Sequence, residues 1–100
     1  MAGPFAPQGP TYRVGIEAVH VAGLPGGSSY RVRNLQVGDA YLTWGNSDAI
    51  VSVVPDRGAP AENTLGLGGG RTEFYTLPPD AWFIADRVDS FEVTPGEGGL

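Results

Sequence analysis

Three features of this sequence hold side chains that could do chemistry: a lone histidine, a set of closely spaced aspartates and a run of glycines. His20 is the single imidazole, and the chain has no cysteine. Nucleophilic catalysis needs a base beside a hydroxyl or thiol. The serines at 28, 29, 47, 52 and 90 are the candidate partners, and none sits in a nucleophile-elbow motif. His20 shares a strand face with Ala18, which predicts an interior or interface histidine. Asp80, Asp86 and Asp89 in "DAWFIADRVD" lack the spacing of a calcium loop. They read as residues that bracket a strand and sit in a turn, where Asp bonds its own backbone. No metal ligand set and no catalytic residue is assigned, and paired carboxylates for glycoside chemistry would find little cleft in a chain this small.

The glycines lie in "NTLGLGGGRTEFYTL", residues 63 to 77. A phosphate cradle needs a strand before the glycines, a helix after them and a defined glycine or lysine spacing. Arg71 stands where a dinucleotide motif would place its third glycine, and the chain has no lysine. The residues that follow are aromatic and β-branched and stop at two prolines, which is strand chemistry. The glycines at 66 to 70 are therefore expected to be a turn leading into a strand, and no cofactor is expected.

The elements that position these residues read as strands throughout. Seven candidates occupy 11–22, 30–35, 40–44, 49–54, 71–77, 81–86 and 90–94, with turn clusters between them, including 23–29. No segment carries helical apolar spacing over three turns. In 11–22 the apolar phase switches near Ala18–Val19, which predicts a bulge or bend. Period-two alternation places Val14, Ile16, Val32, Leu42, Trp44, Ile50, Val53, Phe74, Trp82, Ile84, Phe91 and Val93 in the core. For Trp44 and Trp82 the other reading is sugar stacking or an interface. The fold expected is all-β: a single small β-sandwich or jelly-roll-like barrel of about seven strands with extended Pro/Gly-rich termini. Residues 1–10 form an N-terminal arm, 11–94 the domain and 95–100 a Gly-rich tail. Residues 55–70 read as a long loop, a length that implies function or ordering by a partner.

One hundred residues suit one domain. Net charge is −5, all six basic residues are arginine, and no basic stripe exists, which argues against nucleic acid. No apolar run approaches a membrane span, and the start "MAGPFAPQGP" lacks the features of a signal peptide. The chain reads as cytosolic when made. Only 17% of residues are charged, and 25 are Gly or Pro.

"YRVRNLQVGDAYLTWGNSDA", "FYTLPPDAWFIA" and "FEVTPGEG" together resemble small β-sandwich virion proteins of tailed bacteriophages, of the capsid decoration or cement type. The resemblance covers about residues 28 to 98 as a pattern of strands, neutral turns and Gly-rich tail. It implies a structural protein that binds the assembled capsid, with the major capsid protein or other virion subunits as partners, often as a homo-oligomer, and with no catalytic residues. The alternatives are a phage neck or tail component and a stand-alone carbohydrate-binding sandwich. The arm and the loop are expected to carry the contacts. Phe5 and Pro7 are the partner-binding candidates in the arm, and Pro60, Leu65 and Leu67 those in the loop. Arg31 and Arg33, on the outward face of one strand, complete the set because their forks suit carboxylates.

Overall fold

The computed structural model describes residues 4–22 and 29–98. Residues 1–3 of the expected arm, 23–28 of the expected turn and 99–100 of the tail lie outside them. The described residues hold no helix. They form β1 (Ala6–Pro7), β2 (Tyr12–Val14), β3 (Val19–His20), β4 (Ser29–Asn34), β5 (Ala40–Gly45), β6 (Thr64–Leu67), β7 (Thr72–Thr76), β8 (Trp82–Ala85) and β9 (Phe91–Glu97). Sheet 1 runs β1 and β2 along one edge, then β9, β4 and β7; sheet 2 runs β3, β8, β5, β6.

The pairing has a simple logic. Strand β5 pairs with β6, β4 with β7, β3 with β8 and β2 with β9, all antiparallel. These are the nested pairs of one long hairpin folded at its middle. Successive pairs alternate between the two sheets, and the contacts β4 to β9 and β5 to β8 knit them together. A long hairpin rolled this way is an eight-stranded jelly roll, here with β1 added at one edge. The expected sandwich is therefore present, with nine strands among the described residues rather than about seven.

The difference in count has local causes. The phase switch in 11–22 is where the chain leaves sheet 1 for sheet 2, so one expected strand becomes β2 and β3. The arm contributes β1. The expected strand at 49–54 is not a strand; β6, inside the expected loop, is the partner of β5 instead. Strand β9 runs past Thr94 to Glu97 and carries Pro95 within the sheet. The β1 register (Pro7 opposite Gly96) and the β2 register (Tyr12 opposite Val93) differ by two residues, so a bulge lies between them on the edge. Pro95 donates nothing there but accepts from Gln8 N at 2.8 Å, so the missing N–H falls at the bulge and costs no ladder bond.

The core lies between Val14, Val32, Phe91 and Val93 of sheet 1 and Leu42, Leu67, Phe83 and Ala85 of sheet 2. Tyr30 meets Phe83 edge-on across it, with ring centroids 5.4 Å apart. Six expected core positions fall elsewhere. Phe74 lies on the outer face of sheet 1 and Ile50 on the connection that covers sheet 2. Ile16 and Val53 are exposed, and Trp82 and Ile84 face outward, half-buried, while Phe83 and Ala85 point in. In "AWFIA" every residue is apolar, so no polar partner marks the phase. Trp44 is half-buried and packs against this core, as expected, while Ile50 and Phe74 are half-buried away from it.

Tyr30 donates its hydroxyl to Pro78 O at 2.9 Å. Burial pushes its pKa up; the Ala81 backbone opposes this and Asp80 adds to it. Burial, then Glu73, also raises Tyr75. Raised folded-state values mean the unfolded chain ionises first as pH climbs. Their contribution to stability is complete below about pH 10, the ordinary tyrosine value, and is lost as pH rises through the folded values. Thermal melts should show Tm falling above that pH, with the Tyr30→Phe variant showing a shallower fall.

Candidate interaction surfaces

Four of the seven sequence-predicted partner residues come together on the outer face of sheet 1. Arg33 lies opposite Glu92, and Glu92 opposite Arg13, in one cross-strand row. Arg31 lies between Thr94 and Phe74 in the next. Phe5 reaches this face from the arm, its ring centroid 5.3 Å from that of Phe74. Pro7 is opposite Gly96 at the edge. The Arg33–Glu92 pair spans 3.9 Å and is solvated, so it adds little stability. Three arginines share this face with one carboxylate.

The arm thus has more to hold it than its single large apolar residue suggests. Gly96 makes this possible: a Cβ there would overlap Ala6 O and the Phe5 ring. Gly96→Ala should lift residues 4–8 off β9. Hydrogen exchange at Gln8 N should accelerate while the core amides stay protected; unchanged exchange at Gln8 would show that the glycine does not seat the arm.

The other three candidates divide. Leu67 belongs to the core at 7% exposure, and Leu65 packs against that core half-buried. Both lie on β6, an edge strand of sheet 2, rather than on a loop. Pro60 is exposed in the β5–β6 connection, residues 46–63. That connection is a strap across the outer face of sheet 2. Ile50 fills the space above Gly45, where any Cβ would strike it. Val53 N donates to Thr43 Oγ1 at 3.3 Å. The strap then closes a tight turn, with Asp56 and Ala59 exchanging both backbone bonds. Val51, Val53 and Val54 remain exposed along it.

The end of the roll opposite the strap's hairpin is built by four connections: 15–18, 35–39, 68–71 and 86–90. They are tied to one another. Leu35 N donates to Ser90 O at 2.7 Å and Gly70 N to Asn34 O at 3.1 Å. A Cβ on Gly15 would lie 2.8 Å from Asp89 N. Gly70 adopts a positive φ of 73° in the turn that ends the glycine run, and β7 follows it, so the run leads into a strand as expected, but Gly66 belongs to β6 opposite Tyr41 rather than to the turn. Three of these connections carry an exposed aliphatic residue: Ile16 at 57%, Val37 fully, and Val88 at 62%. Ile16 and Val88 face a shallow groove of about 280 Å³ that Arg13, Glu17 and Asp89 also line. Sequence reasoning missed this end because it had placed Ile16 in the core. The signal available was the set of lone aliphatics inside otherwise polar turns.

His20 is not interior. It stacks on Trp82 at a centroid distance of 4.9 Å, and its Nε2 lies 3.9 Å from Asp80 Oδ1. Asp86 accepts from Tyr41 N at 2.9 Å, while Asp80 and Asp89 take positive φ values of 59° and 47° in their turns. Among the described residues no group of three or more His, Asp or Glu side chains is arranged to hold a metal ion. No family model matches the chain, and no curated protein or solved structure matches it.

Proposed function

We propose that this jelly roll is a structural virion protein of a tailed phage, made in the host cytoplasm, that binds the assembled capsid and stabilises it without catalysing a reaction. The observation that carries the reading is the four-connection end, where Ile16, Val37 and Val88 stand in solvent on three neighbouring turns. Turns held by mutual backbone bonds are already ordered, so docking them costs little conformational entropy. Burying three aliphatic tips in a partner is worth about 1.5–3 kcal/mol each if burial is complete. The jelly roll itself is used by capsid proteins and by lectins, so the fold is compatible with this role and does not select it. Banding of particles from lysates of cells carrying this sequence tests the role. The chain should co-migrate with capsids at a constant ratio through repeated gradients; recovery only in the soluble fraction would overturn it, and enrichment with isolated tails would move the chain to the neck or tail.

The Trp82–His20 stack beside Asp80 favours a second reading, a carbohydrate-binding module. An aromatic ring next to polar side chains suits a sugar face. One face of Trp82 is already taken by His20, which ranks this reading second. Saturable change in Trp fluorescence on titration with a neutral oligosaccharide would support it.

A further inference from the structure

We infer that copies of this chain associate head to tail, with the strap of one molecule seated on the outer face of sheet 1 of the next. This goes beyond capsid binding and uses different residues. The argument begins with charge. Arg13, Arg31 and Arg33 share the sheet 1 face with Glu92, a local charge of +2 in a chain whose net charge is −5. The rest of the molecule therefore carries −7. Part of that lies on the opposite side of the roll. The strap, residues 46–63, holds Asp48, Asp56 and Glu62 against Arg57, a local charge of −2. One side of the molecule is thus positive and the other negative.

The apolar surface is complementary in the same way. The strap presents Val51, Val53 and Val54 to solvent. The sheet 1 face carries the Phe5–Phe74 ring pair beside Arg31. Arginine forks flanking half-buried rings match carboxylates flanking exposed valines. The two surfaces are different patches on opposite faces, so the contact is heterologous. Repetition of such a contact closes a ring if the rotation permits, and otherwise extends a stack. The exposed aliphatic tips of the four-connection end take no part, which leaves them free for the capsid; Arg13, which also lines their groove, is the residue the two surfaces share.

Sedimentation velocity on the purified full chain tests this. The wild type should associate in low salt and dissociate toward monomer near 1 M salt, where the screening length is about 3 Å. Arg31→Glu with Arg33→Glu, and separately Asp48→Arg with Glu62→Arg, should each be monomeric in low salt with unchanged melting. Mixing the two variants pairs the intact strap of the first with the intact arginine face of the second, and the reversed face of the first with the reversed strap of the second, so association should be restored. A wild type that stays monomeric in low salt at high concentration overturns the proposal. So do variants that associate like the wild type, or a mixture that restores nothing, since that outcome belongs to a face meeting its own copy. If the Glu pair prevents folding, Arg31→Gln with Arg33→Gln takes its place, with the same monomer expected.

Discussion

Phe83→Ala should destabilise the protein by roughly 3–5 kcal/mol, the range for deleting a buried phenylalanine. Its side chain is fully buried, at 0% exposure, and bridges the sheets through the ring of Tyr30. A domain of this size has about 5–15 kcal/mol in total, and each kcal/mol moves Tm by roughly 4–8 °C. The variant should therefore melt tens of degrees lower or fail to fold at growth temperature. Trp82→Ala, one residue earlier, faces outward and should cost far less, about 1 kcal/mol. The contrast checks the register of β8 directly. Equal losses at 82 and 83, or a larger loss at 82, would say that the strand is turned over.

Asn34 gives the second large effect. It is completely buried at the end of β4. Its Nδ2 donates to Gly38 O at 3.0 Å and to Leu67 O at 2.8 Å, and its Oδ1 accepts from Gln36 N at 2.8 Å. One side chain thus shapes the 35–39 turn and ties sheet 1 to β6 of sheet 2. Asn34→Leu would leave the buried Leu67 carbonyl without this partner and would strip the partly solvated Gly38 carbonyl and Gln36 amide of theirs. A buried unsatisfied group costs about 1–3 kcal/mol and a lost ordinary hydrogen bond about 1 kcal/mol, so a total near 2–3 kcal/mol is expected in chemical denaturation. Asn34→Asp retains the acceptor and loses both donors, and should be comparably damaging. A loss below about 1 kcal/mol, the net worth of a single ordinary hydrogen bond, would show that the turn does not depend on it.

The residues that revealed the fold are those whose neighbours differ from them in polarity. In β4, Arg31 and Arg33 alternate with Tyr30 and Val32, and the inward and outward faces are plain. The switch of phase near Ala18 likewise marked a true change of sheet. Where polarity does not alternate, the pattern is silent. "AWFIA" gives no phase, and "AIVSVV" has strand propensity yet forms a strap, because β8 and β6 already occupy both edges of β5. Strand β6 was hidden by its glycine and by its place in a Gly-rich stretch. Asn34 was legible in principle: it continues the inward phase of Tyr30 and Val32, and a polar residue there must find partners. Of the interaction residues, the outward arginines could be read from alternation. The meeting of Phe5 with Phe74 could not, since it depends on a bare Gly96 that lets the arm lie across the sheet.

The capsid-binding account is tested most directly by occupancy on particles. Capsids stripped of this chain are incubated with the wild type or with an Ile16→Lys, Val37→Lys, Val88→Lys triple variant, and the bound protein is counted after pelleting. All three positions are solvent-exposed, so melting should be unchanged. The account predicts a wild type that saturates the particles and a triple variant left in the supernatant. Equal occupancy by the two proteins would contradict it.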